Sequence, residues 1–206
     1  IDIDHFIPTD ARKLRESLGI AGKKVIVSVG RLVHRKGQDY LIEAMPEILK
    51  TLPDTHLLLV GEGPYQDHLQ KLVQKHNLND SVTFIGRIQY KDLPMYLSAG
   101  DIFAMPSRSR FKGLEVEGLG IVYLEASSCG LPVLAGNSGG APDAVVQNKT
   151  GLVVSGKDSK QIAFAAIELL SNIGSARSMG LAGRQWIIDN WSWELWSKNF
   201  EDLLNE

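Results

Sequence analysis

KVIVSVGRLVHRKGQDYLIEAMPEILKTLPDTHLLLVG, residues 24 to 61, carries the alternation that decides the fold. The run Lys24 to Gly30 is short, apolar and rich in β-branched residues, the pattern of a strand buried on both faces. From Gly37 to Leu52, the residues Tyr40, Leu41, Ala44, Met45, Ile48 and Leu49 recur at helical spacing. His56 to Gly61 repeats the strand pattern. Strand, helix and strand in succession predict parallel strands with helices packed on the sheet.

The same alternation continues outward. A helix is expected from about Tyr65 to Lys75, with Leu69, Leu72 and Val73 on one face, and a strand from Val82 to Gly86. A short helix near Asp92 to Ser98 precedes the strand DIFAMP, Asp101 to Pro106. A helix from about Gly120 to Ser128 leads into LPVLAG, Leu131 to Gly136, and GLVVS, Gly151 to Ser155, closes the sheet. From Ser159 onward the pattern is helical: SKQIAFAAIELLSN, ARSMGLAGRQWIIDN, then a last helix with Ser192 as N-cap and Glu194 in its first turn, where a negative charge suits the dipole. About six strands with helices between them, and no Pro/Gly/Ser-rich linker, predict one Rossmann-like, doubly wound α/β domain over residues 1–206, with helices on both faces of a parallel sheet.

Composition narrows the function. The 206 residues hold 22 basic and 24 acidic side chains for a formal charge of -2, and no long block of one sign offers a footprint for nucleic acid. The single cysteine, Cys129, forms no intrachain disulfide, as expected in a reducing compartment, and no apolar run reaches the ~18 residues of a membrane span. A soluble, cytoplasmic domain is expected. The opening IDIDHF has neither an initiator Met nor the n-region of a leader, and reads as the start of a piece of something longer.

In an open parallel sheet, ligands bind beyond the carboxyl ends of the strands. The first such loop is GRLVHRKGQD, in which Arg31 follows the strand and Lys36 precedes the next helix. Two cations beside a helix N-terminus suit an anion, although the ordinary reading of a basic loop is solvated charge. The second loop is SRSRFKGLEVEGLG: Gly118 and Gly120 let backbone approach a ligand, and the N–H groups of Leu119, Gly120 and Ile121 lie where a helix begins. Each loop alone is weak evidence. Their shared edge gives them weight.

Glu117, in that loop, and Glu125, inside the helix, are separated along the axis by roughly 8 Å at ~1.5 Å rise per residue. That spacing suits an inverting glycosidase pair, but neighbouring cations are expected to hold both groups ionised, which a general acid cannot be. Two hydroxyl acceptors flanking a bound diphosphate, one for a sugar and one for a ribose, fit better. The plainer alternative for Glu125 is a solvated or Arg-paired helix glutamate.

GRLVHRKGQDYLIEA, LLLVGEGP, VTFIGRI and above all EGLGIVYLEASSCGLPVLAGNSGGAPDAV resemble the C-terminal, donor-binding domain of the retaining glycosyltransferases of family four, which have the GT-B fold. The resemblance covers nearly the whole chain, and the seven-residue gap between Glu117 and Glu125 is its most specific element. The wording LEVEGLGIVYLEA followed by SGGAPD is most similar to phosphatidylinositol mannosyltransferases that use GDP-mannose. The resemblance implies a donor-binding half that moves a hexose to a lipid or saccharide acceptor. It implies Arg31 and Lys36 on the donor diphosphate, with Gly30 beside them, and Glu117 on the transferred sugar. Backbone from Gly118, Leu119, Gly120 and Ile121 is implied around sugar and phosphate, Glu125 on the ribose, and Arg87 and Ile88 at the base. Catalytic roles are implied for Arg31, Lys36 and Glu117. No metal and no separate cofactor are implied, the nucleotide sugar being the substrate. The mechanism implied is front-face transfer in which the donor phosphate helps take the acceptor proton.

The family places its acceptor site in an N-terminal domain, so the isolated chain is expected to bind nucleotide and to transfer sugar poorly or not at all. The helix over residues 190–206 is expected to pack toward that domain, and the full-length enzyme to touch a membrane peripherally. Two rivals remain on sequence alone: a sugar-nucleotide epimerase-like domain and a nucleotide-binding module without transferase activity.

Other residues have plainer readings. His34 is expected to be solvated rather than on phosphate, and Cys129 to be a buried structural thiol. Trp186, Trp191, Trp193 and Trp196 are expected to pack among the last helices rather than to face a membrane. Arg108, Arg110 and Lys112 either orient donor phosphate or acceptor headgroup, or are solvated.

Overall fold

A computed structural model describes residues 1–205. The strands are β1 (Lys24–Val29), β2 (Thr55–Val60), β3 (Val82–Gly86), β4 (Ile102–Met105), β5 (Val133–Gly136) and β6 (Gly151–Val154). They form one sheet in the order β3-β2-β1-β4-β5-β6, and every pairing between them is parallel. Strand order reverses between β1 and β4, so the loops leaving these two neighbours diverge and open a crevice at their carboxyl ends.

The helices are α1 (Arg12–Ser17), α2 (Gln38–Thr51), α3 (Gln66–Lys75), α4 (Leu93–Ser98), α5 (Ile121–Ser128), α6 (Ser159–Ser171), α7 (Ile173–Trp191) and α8 (Trp193–Asn205). Successive β1 side chains enter different cores, as the two-residue period of a strand requires. Ile26 joins Leu41, Met45 and Ile48 of α2 and Leu169 of α6, whereas Val25 and Val27 join Leu97 of α4, Tyr123 and Leu124 of α5, and Ile187 of α7. Both faces are therefore covered, which is why the strands read as continuous apolar runs.

Caps set the late helices. Asp158 accepts from the N–H groups of Lys160 and Gln161 to start α6, Asn172 accepts from Ser175 to start α7, and the Ser192 hydroxyl accepts from Leu195 at 3.3 Å. The expected Ser192 cap is thus present. Helix α7 begins three residues before the expected ARSMG stretch because Asn172 supplies its cap, and α1 has no counterpart in the sequence reading. No helix among the described residues is long and apolar enough to cross a membrane.

The tryptophans divide. Trp186 and Trp191 are partly buried against the core and meet edge-on at 5.8 Å, as expected of packing residues. Trp193 and Trp196 depart from that expectation: they are exposed and, with Ile1, Leu119, Ile121, Leu124 and Trp191, line an apolar groove. Helix α8 fully buries none of its described residues: Leu195 is half-buried and Trp196 leans on Trp191, whereas Trp193, Phe200, Leu203 and Leu204 stay exposed.

Candidate functional site

The loop after β1 turns through a short 3-10 segment, His34–Lys36, before α2 begins. That turn sends Lys36 inward to 9% exposure, where its Nζ lies 2.9 Å from Glu117 Oε2. Arg35 Nη1 donates to the same oxygen at 2.7 Å, and Glu117 is 5% exposed. The Lys36 loop is therefore a built ion cluster and not a solvated basic loop. Burial pulls the Lys36 ammonium below its ordinary pKa, with the Glu117 charge opposing that fall.

Arg35 was not among the residues singled out in the sequence, and it joins Lys36 where Arg31 was expected to. Arg31 is exposed and lines a separate open depression of about 600 Å³ with Gly61, Glu62, Gly63, Gln66 and Arg87. Arg87 lies 3.8 Å from Glu62 there. The two arginines expected at the diphosphate and the base thus share one rim beyond β2 and β3. Ile88 is half-buried and packs on the α5 side of the sheet, and Gly30 closes β1 with Lys36 Cε nearby.

The backbone around Glu117 is fixed from β5. Its N–H donates to the buried Ser138 hydroxyl at 3.1 Å, and its carbonyl accepts from Gly140. Gly139, at φ +54°, passes so close that a Cβ there would lie 1.9 Å from the Glu117 oxygen. Among the described residues, the N–H groups of Gly118, Leu119, Gly120 and Ile121 donate to no backbone or side-chain acceptor. Four backbone donors without a protein acceptor at the start of α5, next in sequence to the Glu117 that holds Lys36, are a setting that suits an anion.

Glu125 stands apart from this cluster. It is partly buried, with no ion pair among the described residues, and burial pushes its carboxyl up to about 7. His5 and the Ile1 amino group are the cationic influences that pull the other way. The expectation that cations hold both glutamates ionised is therefore wrong for Glu125. The cationic loop reaches only Glu117, and Glu125 lies on the side where His5 stacks on Tyr90 at 4.7 Å.

His34 is half-buried and held against Arg108 rather than free to meet an anion as a cation. Its Nδ1 lies 2.9 Å from Arg108 Nη2, and burial, with the charge of Arg108, lowers its pKa, so the ring is neutral near pH 7 and accepts from the guanidinium. Arg108 itself is buried, whereas Arg110 and Lys112 lie on a loop with Phe111 and Lys112 at positive φ. Cys129 is buried and its thiol is pushed up to about 12 by that burial, as expected of a structural thiol. Among the described residues no group of three or more His, Cys, Asp or Glu side chains is arranged to hold a metal ion.

The family model for glycosyl transferases group 1 matches residues 10–186. A GDP-mannose-dependent alpha-(1-6)-phosphatidylinositol monomannoside mannosyltransferase of Mycolicibacterium smegmatis is 47% identical over all of this chain and 54% of its own length. A GDP-mannose-dependent monoacylated alpha-(1-6)-phosphatidylinositol monomannoside mannosyltransferase of Corynebacterium glutamicum is 44% identical over 99% of this chain and 54% of its own. The chain thus spans about half the length of the curated relatives it matches. Among solved structures, the UDP complex of Anabaena HepE superposes with a TM-score of 0.89 at 24% identity, covering all of this chain and 55% of that one. The C-terminal domain of a glycosyl transferase group 1 family protein from Francisella tularensis gives 0.82 at 27% identity, covering 94% of this chain and 99% of that one.

Proposed function

The chain belongs to the glycosyl transferase group 1 family, and from that premise we propose that it is the donor-binding half of a retaining transferase that moves mannose from GDP-mannose to a lipid acceptor of the phosphatidylinositol mannoside class. One observation carries the reading. A single Glu117 oxygen holds Lys36 and Arg35 at the mouth of the switch-point crevice, next in sequence to four backbone donors without a protein acceptor, in a chain 47% identical to a GDP-mannose-dependent enzyme.

In this proposal the donor diphosphate competes with Glu117 for Lys36 and Arg35, helped from the rim by Arg31. The cations then stabilise the charge that grows on the departing diphosphate, and fixed donors aimed at developing charge are typically the largest source of rate. Glu117, released, accepts from hydroxyls of the mannose. The N–H groups of Gly118 to Ile121 line sugar and phosphate, Glu125 takes the ribose hydroxyls, and Arg87 and Ile88 flank the base. Neutralisation by side chains replaces a divalent metal, and the donor phosphate takes the acceptor proton.

Acceptor recognition falls to the other half of such an enzyme, against which the uncovered apolar stripe of α8 packs, and membrane contact is peripheral. Calorimetry of GDP, UDP and ADP against this chain tests the reading. GDP should bind preferentially; preference for UDP moves the proposal to another donor, and silence with all three ends it. Steady turnover of GDP-mannose onto a phosphatidylinositol mannoside by these residues alone would contradict the assignment of a half-site.

A further inference from the structure

A second buried charged pair lies outside the cluster just described. Arg108 is 2% exposed and meets Asp39 with both guanidinium nitrogens, Nη1 to Oδ1 and Nη2 to Oδ2, each at 2.6 Å. The Tyr65 hydroxyl donates to Asp39 Oδ2 at 3.0 Å, His34 sits against Nη2, and the guanidinium lies 4.8 Å from the centre of the Tyr40 ring. Four chain segments converge here: the loop after β1, the first turn of α2, the start of α3 and the loop after β4.

Removing two charges from water is costly, and it is repaid only where the geometry is as good and the hydrogen bonding as complete as it is here. A pair held this firmly also fixes what lies against it. Its neighbours identify that object. The Arg108 N–H donates to the Arg35 carbonyl at 2.8 Å, and Gly37, at φ +78°, lies so near Pro106 that a Cβ would stand 1.9 Å from its carbonyl oxygen. Arg108 thus holds the turn at both ends, Arg35 by its backbone N–H and Asp39 by its guanidinium, and Lys36 lies between them.

We propose that Arg108, acting through Asp39 and Tyr65, is a positioning residue that fixes the Arg35–Lys36 turn for a nucleoside diphosphate. The inference rests on the donor-binding reading above. The Glu117 side of the site is pinned independently by Ser138, so loss of the pair frees the cations while the carboxylate stays.

Calorimetry of GDP and guanosine against the same chain separates the two ideas. In the unaltered protein GDP should bind at least about tenfold tighter than guanosine, because charge-assisted contacts to the phosphates are the strong ones. If it does not, the donor reading fails and the positioning claim falls with it. The Asp39→Asn/Arg108→Gln double variant removes both charges and, with the shorter side chain at 108, the two-point grip between them, without stranding either charge alone. It should lose most of the GDP advantage with guanosine affinity and melting temperature nearly unchanged. A preserved GDP advantage, or equal loss for both ligands, overturns the proposal. Should that variant not fold, Tyr65→Phe, which deletes one hydrogen bond to Asp39, carries the test: a loss of about twofold for GDP alone supports the proposal, and no change in GDP affinity overturns it.

Discussion

Glu117 and Glu125 belong to one short loop-and-helix segment and live in opposite surroundings. Glu117 is clamped by Lys36 and Arg35 on one oxygen and braced from behind by Ser138. Glu125 has no ion pair among the described residues and is pushed toward neutrality by burial. Spacing alone makes them look like a pair with one job. Their environments differ in kind: Glu117 sits in an ion cluster, and Glu125 has no charged partner among the described residues; in the proposed reading the first meets the transferred sugar beside the diphosphate and the second the ribose.

The contrast is broken most severely by removing Glu117. Glu117→Ala strands a buried ammonium, and urea unfolding should show a loss of about 3 kcal/mol, with Lys36→Met/Glu117→Gln recovering most of it. If the single change costs no more than an ordinary surface substitution, the clamp is not stabilising the free protein.

A smaller effect sharpens the other end. Folding raises the Glu125 pKa from 4.5 to about 7, so the site binds its proton more tightly when folded. Its contribution to stability is complete below about pH 4.5 and is lost as pH rises through about 7. Between pH 5 and pH 8 the unaltered chain should therefore lose stability relative to Glu125→Gln, by about 1 kcal/mol after allowance for the water that reaches a half-buried carboxyl. Parallel pH profiles for the two proteins would place Glu125 in an ordinary solvated setting.

The smallest expected change lies in the apolar groove lined by Leu119, Ile121 and Leu124. Trp193 is 64% exposed, so Trp193→Ser should move the unfolding free energy of this chain by less than about 0.5 kcal/mol. A larger loss would mean that α8 stabilises this half rather than waiting for another surface.

The fold was legible because the central strands are covered on both faces and so announce themselves as apolar runs, with Lys24 to Gly30 and His56 to Gly61 as the clearest cases. Glu117, Lys36 and the α5 amides were legible too, because ligand loops in this architecture follow the carboxyl ends of the strands. What escaped depends on rotation and distance. Nothing in GRLVHRKG says that the 3-10 turn aims Arg35 inward with Lys36 and leaves Arg31 on the rim. The environment of Glu125 is set by Ile1, His5 and Tyr90, remote in sequence, and Asp39 meets Arg108 across 69 positions of chain. Trp193 and Trp196 carry helical spacing without a core to receive them, so their pattern was real and their burial was not.

Binding of GDP and GDP-mannose to the unaltered chain, Glu117→Ala and Glu125→Ala tests the division of labour most directly. Glu125→Ala should weaken both ligands by a common factor of about ten, and Glu117→Ala, which frees Lys36 and Arg35 for the diphosphate, should erase the increment that mannose adds without weakening GDP. The reverse pattern, with Glu125→Ala acting on the mannose increment and Glu117→Ala on the nucleotide, would contradict the account.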